Sequence, residues 1–220
     1  MDARGTLVRH PYTRRGWLDA GAAVAVSWMI FLSSALPVCA AGVTRGPYLQ
    51  LGTSDSIVVR WRTDVATDSK LKYGTTPGDL NQEVESDQLT TEHELVVPDL
   101  LPDQRYYYSV GTSDEVLAGG DENHFFDTAP LVGTSKPLRL WVLGDSGEAD
   151  ANAMAVRDAY YDFTGSQHTH LWLMLGDNAY PSGTDADYQA ALFDMYPEML
   201  RKSVVWPTLG NHDAVSSDSP

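Results

Sequence analysis

The sequence predicts a mixed chain in two folded parts, an antiparallel β-sandwich followed by an α/β segment. Three observations carry that expectation. Residues 43 to about 130 are short alternating apolar and polar runs separated by turn clusters. From about residue 138 the rhythm changes to strand, helix, strand, helix, strand. Ahead of both stands a basic stretch, then an apolar one, then small residues.

Composition sets the outer limits. The 220 residues are 43% hydrophobic and 10% aromatic, enough for a packed core. Thirty acidic residues face 15 basic ones, for a net charge of −15. Such a surface repels nucleic acid and anionic membrane, so neither is expected as a partner. The single cysteine, Cys39, excludes an intrachain disulfide framework and a Cys-rich zinc site.

Residues 1–41 read as an export signal. Arg4, Arg9, Arg14 and Arg15 make a basic start, and Val24 to Leu32 is the apolar centre. Pro37 and the small residues Ala40 and Ala41 follow. Thr13-Arg14-Arg15-Gly16-Trp17-Leu18 resembles the twin-arginine export motif, with Asp19 departing from its usual basic residue. Cleavage near Ala41 predicts a periplasmic or secreted protein with no membrane attachment, and the competing reading is an uncleaved anchor.

Strands are expected at 47–51, 56–62, 71–74, 94–97, 105–111 and 124–128, with turns at 76–79 and 118–121. Trp61 sits mid-strand, where its ring can fill the space between two sheets. Leu100-Leu101-Pro102-Asp103-Gln104-Arg105-Tyr106 has the spacing of a tyrosine corner. Together these resemble a fibronectin type III-like sandwich over 43–130. His93 and His124 are expected to serve packing or surface roles. Residues 131–137 read as a linker.

The α/β part is expected over 138–220. Strands are predicted at 138–143, 170–175 and 204–209, and helices at 150–163 and 187–202, the latter disturbed by Pro197. Apolar strands joined by helices imply a parallel sheet buried on both faces. Each strand runs into a polar cluster, and the C-terminal edge of such a sheet is where ligands bind. Asp145, Asp177, Tyr180, Asn211 and His212 thereby converge on one rim. Their carboxylate, phenol, amide and imidazole groups suit Fe, Zn or Mn, and two such cations could activate water and hold a phosphate. Glycines beside the aspartates are expected to let the backbone turn sharply. His168 and His170 precede the second strand, roughly 23 Å from Asp177 at about 3.3 Å per residue, and are not expected as ligands.

Gly144-Asp145-Ser146-Gly147, Gly176-Asp177-Asn178-Ala179-Tyr180 and Gly210-Asn211-His212-Asp213 resemble the first three blocks of the metallophosphoesterase (calcineurin-like) superfamily. Tyr180 and the preceding sandwich, with its Gly46-Pro47-Tyr48-Leu49-Gln50 start, resemble the purple acid phosphatase branch. The resemblance implies a binuclear centre of Fe plus Fe, Zn or Mn. Asp145 would bind the first metal, Asp177 bridge both, Tyr180 bind iron as a coloured phenolate, and Asn211 bind the second metal. His212 would contact the phosphate and assist the leaving group. A metal-bound hydroxide would attack a small phosphomonoester, releasing an alcohol and phosphate.

The resemblance also implies histidine ligands in later segments, and residues 214–220 contain none. The expectation is therefore the N-terminal portion of a phosphatase, with a truncated catalytic domain, exposed edges and weak or no activity alone. Two other readings stand beside it. One is an exported phosphodiesterase of the alkaline phosphatase D type. The other is a non-catalytic exported binding protein that uses the sandwich alone.

Overall fold

The computed structural model describes residues 40–216. The predicted export signal lies outside the described residues except for its last two. Among the described residues no helix is long and apolar enough to cross a membrane.

The N-terminal part is built on one long hairpin. Strand β1 covers Val43–Gln50, β2 Ile57–Gly74 and β3 Gln82–Val97. The first half of β2 pairs antiparallel with β1 and with the end of β3. Its ladder with β3 then shifts register between Arg62 and Thr67 and again before Ser69. Such irregularities bend a strand. Beyond them β2 continues beside the start of β3 and beside β4, Arg105–Gly111. Two short strands, β5 at Val116–Gly119 and β6 at Phe125–Asp127, complete that layer on β4. The hairpin thus contributes to both layers of a fibronectin III-like sandwich.

The core between the layers holds Trp61, Leu71, Leu95, Tyr106, Tyr108 and Phe126. Tyr106 Oη accepts a 3.0 Å bond from the Leu101 N–H, so the tyrosine corner forms. His93 is a packed core residue. It stacks on Trp61 at 4.7 Å, and Thr63 Oγ1 and Ser69 Oγ each lie 2.8 Å from its ring nitrogens. Two expectations are corrected here. The predicted turn at 118–121 begins as strand β5, and β3 starts twelve residues before the predicted run at 94–97.

In the C-terminal part, β7 (Leu140–Leu143), β8 (Leu171–Met174) and β9 (Val204–Pro207) are parallel and adjacent. Helix α1 spans Ala151–Thr164, and its N-cap Asp150 accepts bonds from the Asn152 and Ala153 N–H groups. The expected second helix is broken. Asp185–Tyr188 forms α2, Gln189–Phe193 a π-helical turn, and Pro197–Leu200 α3, with Pro197 in the first turn. Proline suits a first turn because it has no N–H to donate.

Trp141, Trp172, Met174 and Val205 face these helices, with Tyr160 stacked on Trp141 at 4.1 Å. The opposite face is bare: Leu140, Val142 and Trp206 remain 40–52% exposed. The expectation of a sheet buried on both faces is met on one only, because all the helical elements pack on the other side.

An unpredicted contact joins the two parts into one nine-stranded sheet, through a parallel bridge between Leu49 of β1 and Val204 of β9. Arginines reinforce it. Arg45, only 6% exposed, donates to Gln189 Oε1 at 2.7 Å and to Asp185 Oδ1 at 2.9 Å. Arg62 donates to the same carboxylate at 2.7 Å. Arg62 and Arg45 together hold the Asp185 carboxyl down at about 2.

At the seam, His168 Nε2 lies 3.6 Å from Asp127 Oδ2. Burial outweighs that carboxylate and holds the imidazole down at about 4. The fold therefore favours neutral His168. Its contribution is present above the unfolded value of about 6.5 and is lost as pH falls through about 4. Unfolding free energies from urea titrations at pH 7 and pH 4 are expected to differ by about 2 kcal/mol more in the unmodified protein than in His168→Gln, which cannot charge. Equal acid sensitivity in the two proteins would refute this.

Candidate metal centre

Parallel register places the candidate residues. Leu143 pairs with Met174, and Met174 with Pro207, so the three strands end side by side and their loops leave from one edge. Those loops are bonded to one another. Asp145 N donates to Gly176 O at 3.0 Å, and Gly147 N to Asp177 O at 3.1 Å. Tyr180 N returns to Gly147 O at 3.0 Å.

The sharp backbone turns fall on the aspartates themselves. Asp145 has φ +57° and Asp177 φ +50°, the left-handed region that costs most residues energy. Gly176 shares it at φ +99°. Gly210 does not, and serves instead through its close approach to Asp177.

Three oxygen-bearing side chains meet. Tyr180 Oη donates to Asp145 Oδ1 through a short bond and lies 3.2 Å from Asp177 Oδ2. The bond to Asp145, with burial and Asp177 adding to it, raises the phenol well above its ordinary value. Asp177 is further fixed by the His212 N–H, which donates to Oδ1 at 2.9 Å. The His212 ring lies 4.3 Å from that of Tyr180, and its Nδ1 is 2.9 Å from Pro181 O. A carbonyl can only accept, so Nδ1 carries the proton of the neutral ring and Nε2 is left as the acceptor. Asn211 is exposed on the same loop, and its side chain forms no hydrogen bond to the other four.

The structure therefore brings Asp145, Asp177, Tyr180 and His212 together, with Asn211 adjacent. His168 and His170 lie before β8, at its opposite end, as expected. Among the described residues no group of three or more His, Cys, Asp and Glu is placed to hold a metal ion. The donor set still fits a hard cation in part. One phenol proton is shared toward two carboxylates, an arrangement in which a cation would replace the proton. Nitrogen is limited to one imidazole: His212 has Nδ1 engaged with Pro181 and only Nε2 left to bind a cation.

Sequence reasoning gave no role to Asp213, which organises the site. It is 5% exposed and accepts from Asn178 N at 2.9 Å, Ala179 N at 3.1 Å and Gly210 N at 2.8 Å. Asn178 Nδ2 and Tyr188 Oη also donate to it, at 3.1 and 3.0 Å. One carboxylate thus ties the loop after β8 to the loop after β9. Its position immediately after His212 was the only sequence signal available.

Residues 44–128 match the family described as purple acid phosphatase, N-terminal domain. That match covers the sandwich alone. The solved structure of PhoD matches 76% of this chain at 15% identity with a TM-score of 0.56. At that identity the likeness is one of fold. This chain spans 38% of the PhoD chain. The fn3 domain of human collagen alpha-1(XX) chain matches 47% of this chain and 99% of its own, at 18% identity and a TM-score of 0.32. No curated protein matches the sequence. The matched segment ends at residue 128, ahead of β7, so it contains none of the five candidate site residues.

Proposed function

We propose that residues 138–216 hold part of the active site of a metal-dependent phosphomonoester hydrolase of the acid phosphatase type, preceded by the sandwich at 43–130 and the linker at 131–137. The observation that carries this reading is the meeting of Asp145, Asp177 and Tyr180 oxygens at the C-terminal edge of a parallel sheet, beside His212.

Asp145, Asp177 and Tyr180 would hold the first metal, with Asp177 and Asn211 reaching a second; iron paired with iron, zinc or manganese suits the donors. Such a centre supplies Lewis acidity at a phosphate. The chain's own residues do the positioning. The His212 N–H fixes Asp177 Oδ1, and Pro181 O fixes the imidazole, so that Nε2 is the atom available to move a proton at the leaving oxygen. The substrate is a small phosphate ester, and the protein is exported to the periplasm or beyond.

The test uses the protein purified from its native source. With ferric iron and a second divalent metal, it is expected to hydrolyse 4-nitrophenyl phosphate faster than bis(4-nitrophenyl) phosphate. It is also expected to show a visible absorption band that Tyr180→Phe removes. The PhoD-like fold supports a second reading, a phosphodiesterase of the alkaline phosphatase D type, which predicts the reverse substrate preference. Neither hydrolysis nor metal uptake would overturn both readings and favour a binding protein.

A further inference from the structure

The segment from Tyr180 to Tyr188 serves the candidate centre at both of its ends. Tyr180 carries the phenol that meets Asp145 and Asp177, and Pro181 O holds the His212 ring. At the far end, Tyr188 Oη donates to Asp213, which ties the loops after β8 and β9 together.

The segment has little slack. Gly183 N donates to Ala179 O at 3.0 Å. Thr184 Oγ1 accepts from the Asp187 N–H at 3.2 Å, and Asp187 Oδ2 accepts from the N–H groups of Thr184 and Ser182 at 3.1 and 3.3 Å. A Cβ on Gly183 would stand 2.6 Å from the Asp213 backbone, so the segment lies directly on the loop after β9. A displacement of α2 is therefore carried to Tyr180 and Pro181 instead of being absorbed before them.

The sandwich grips α2 from outside. Asp185, its first residue, accepts from Arg45 at 2.9 Å and from both Nη atoms of Arg62 at 2.7 and 2.9 Å. Arg45 Nε donates to Gln189 one turn further on, at 2.7 Å, and its guanidinium lies 3.9 Å from the centre of the Phe193 ring. One side chain of β1 thus touches α2 and the π-helical turn at three points.

Arg45 occupies an inward position of β1, in line with Pro47 and Leu49, where strand alternation would place an apolar residue. Arginine rarely takes such a position unless paired. An apolar side chain there would avoid the cost of desolvating a charge, and buried ion pairs add little net stability. What the planar guanidinium adds is direction, because its donors fix two acceptors in one plane.

We propose that Arg45 and Arg62 are positioning residues for the candidate centre. Through Asp185 they set where α2 sits, and so keep Tyr180 and Pro181 in register with Asp145, Asp177 and His212. The consequence for metal rests on the reading of Tyr180 as a ligand, whereas the consequence for the segment rests on the hydrogen bonds alone.

The test is amide hydrogen exchange on the full chain stripped of metal by a chelator, followed by titration with ferric iron. In Arg45→Met the amides of Tyr180, Gly183 and Tyr188 are expected to exchange at least about fivefold faster, with Val110 in the sandwich and Gly165 after α1 within about twofold of the unmodified protein. Arg62→Met is expected to act in the same direction by about threefold, and it decides the matter if Arg45→Met does not fold. Asp185→Asn combined with Arg45→Met is expected to give less than the product of the single effects, since both changes break one contact. Arg60→Met, which breaks the neighbouring ion pair with Glu94, is expected to leave the three amides unchanged. Ferric iron, followed by its visible absorption band, is expected to bind Arg45→Met at least about fivefold more weakly. An unmodified protein that takes up no iron would overturn the reading of Tyr180 as a ligand, and exchange alone would then decide the positioning role. The proposal is overturned by exchange within about twofold of the unmodified protein in both arginine variants, by equal acceleration in Arg60→Met, by fully multiplicative effects with Asp185→Asn, or by unchanged iron affinity in Arg45→Met.

Discussion

Asp213→Ala is expected to destabilise the protein by about 4 kcal/mol and to unlock the loops that follow β8 and β9. The carboxylate accepts from three backbone N–H groups, from Tyr188 Oη and from Asn178 Nδ2. Alanine removes every acceptor and keeps the donors. Asn178 Nδ2 still has Thr208 O at 2.8 Å, but the N–H groups of Asn178 and Ala179 have no second partner. Each buried donor left unpaired costs about 1–3 kcal/mol, reduced where water enters. The total is a large part of the 5–15 kcal/mol that holds a typical domain together. The urea midpoint should fall with little change in slope, and amide exchange at Asn178, Ala179 and Gly210 should speed up. A loss below about 1 kcal/mol would mean that the direct backbone bonds between loops suffice without the carboxylate.

That hub shows where sequence reading stops. Asp145, Asp177 and Tyr180 were legible because each follows a run of apolar strand residues, and strand ends project their next residues to one rim. Trp61 and Tyr106 were legible from spacing against strand and turn. Asp213 was not, because it is held mainly by backbone N–H groups, which leave no pattern in residue types, and its side-chain partners Asn178 and Tyr188 lie far back in the chain. The first half of β3 was hidden for a different reason. Residues 82–93 are acidic and mostly exposed, with little of the β-branched or aromatic character that marks a strand. They are held partly by Lys70, whose amine lies 3.1 Å from Glu83 and 3.2 Å from Glu85 across the hairpin. Strand β5 was masked by Gly119, which belongs to both the strand and the turn after it. The bridge between Leu49 and Val204 joins residues far apart in the chain, and no local periodicity reports such a contact. Pro197 did mark the break in the second helix, but nothing local announced the π-helical turn before it.

Gly210→Ala is expected to cost about 3 kcal/mol and to abolish ferric iron uptake, with the sandwich left intact. A Cβ at Gly210 would stand 2.2 Å from both the backbone nitrogen and Oδ1 of Asp177. Neither atom can step aside cheaply. The nitrogen belongs to the loop that Gly147 and Asp213 hold, and Oδ1 already accepts the His212 N–H. Relief must come from moving the loop after β9 away from the loop after β8, which separates Asp177 from His212. The cost therefore falls on stability and on site geometry together. Gly46→Ala is the matched control: a Cβ there meets nothing within 4 Å, and β1 is already extended. That change is expected to stay within about 0.5 kcal/mol. Thermal melts and iron titrations of the two variants, side by side, distinguish close packing at the rim from a general cost of adding a methyl group. If Gly210→Ala kept both stability and iron uptake, the two loops would have to be free to separate, and the contact between Gly210 and Asp177 could not be what sets the spacing of the site.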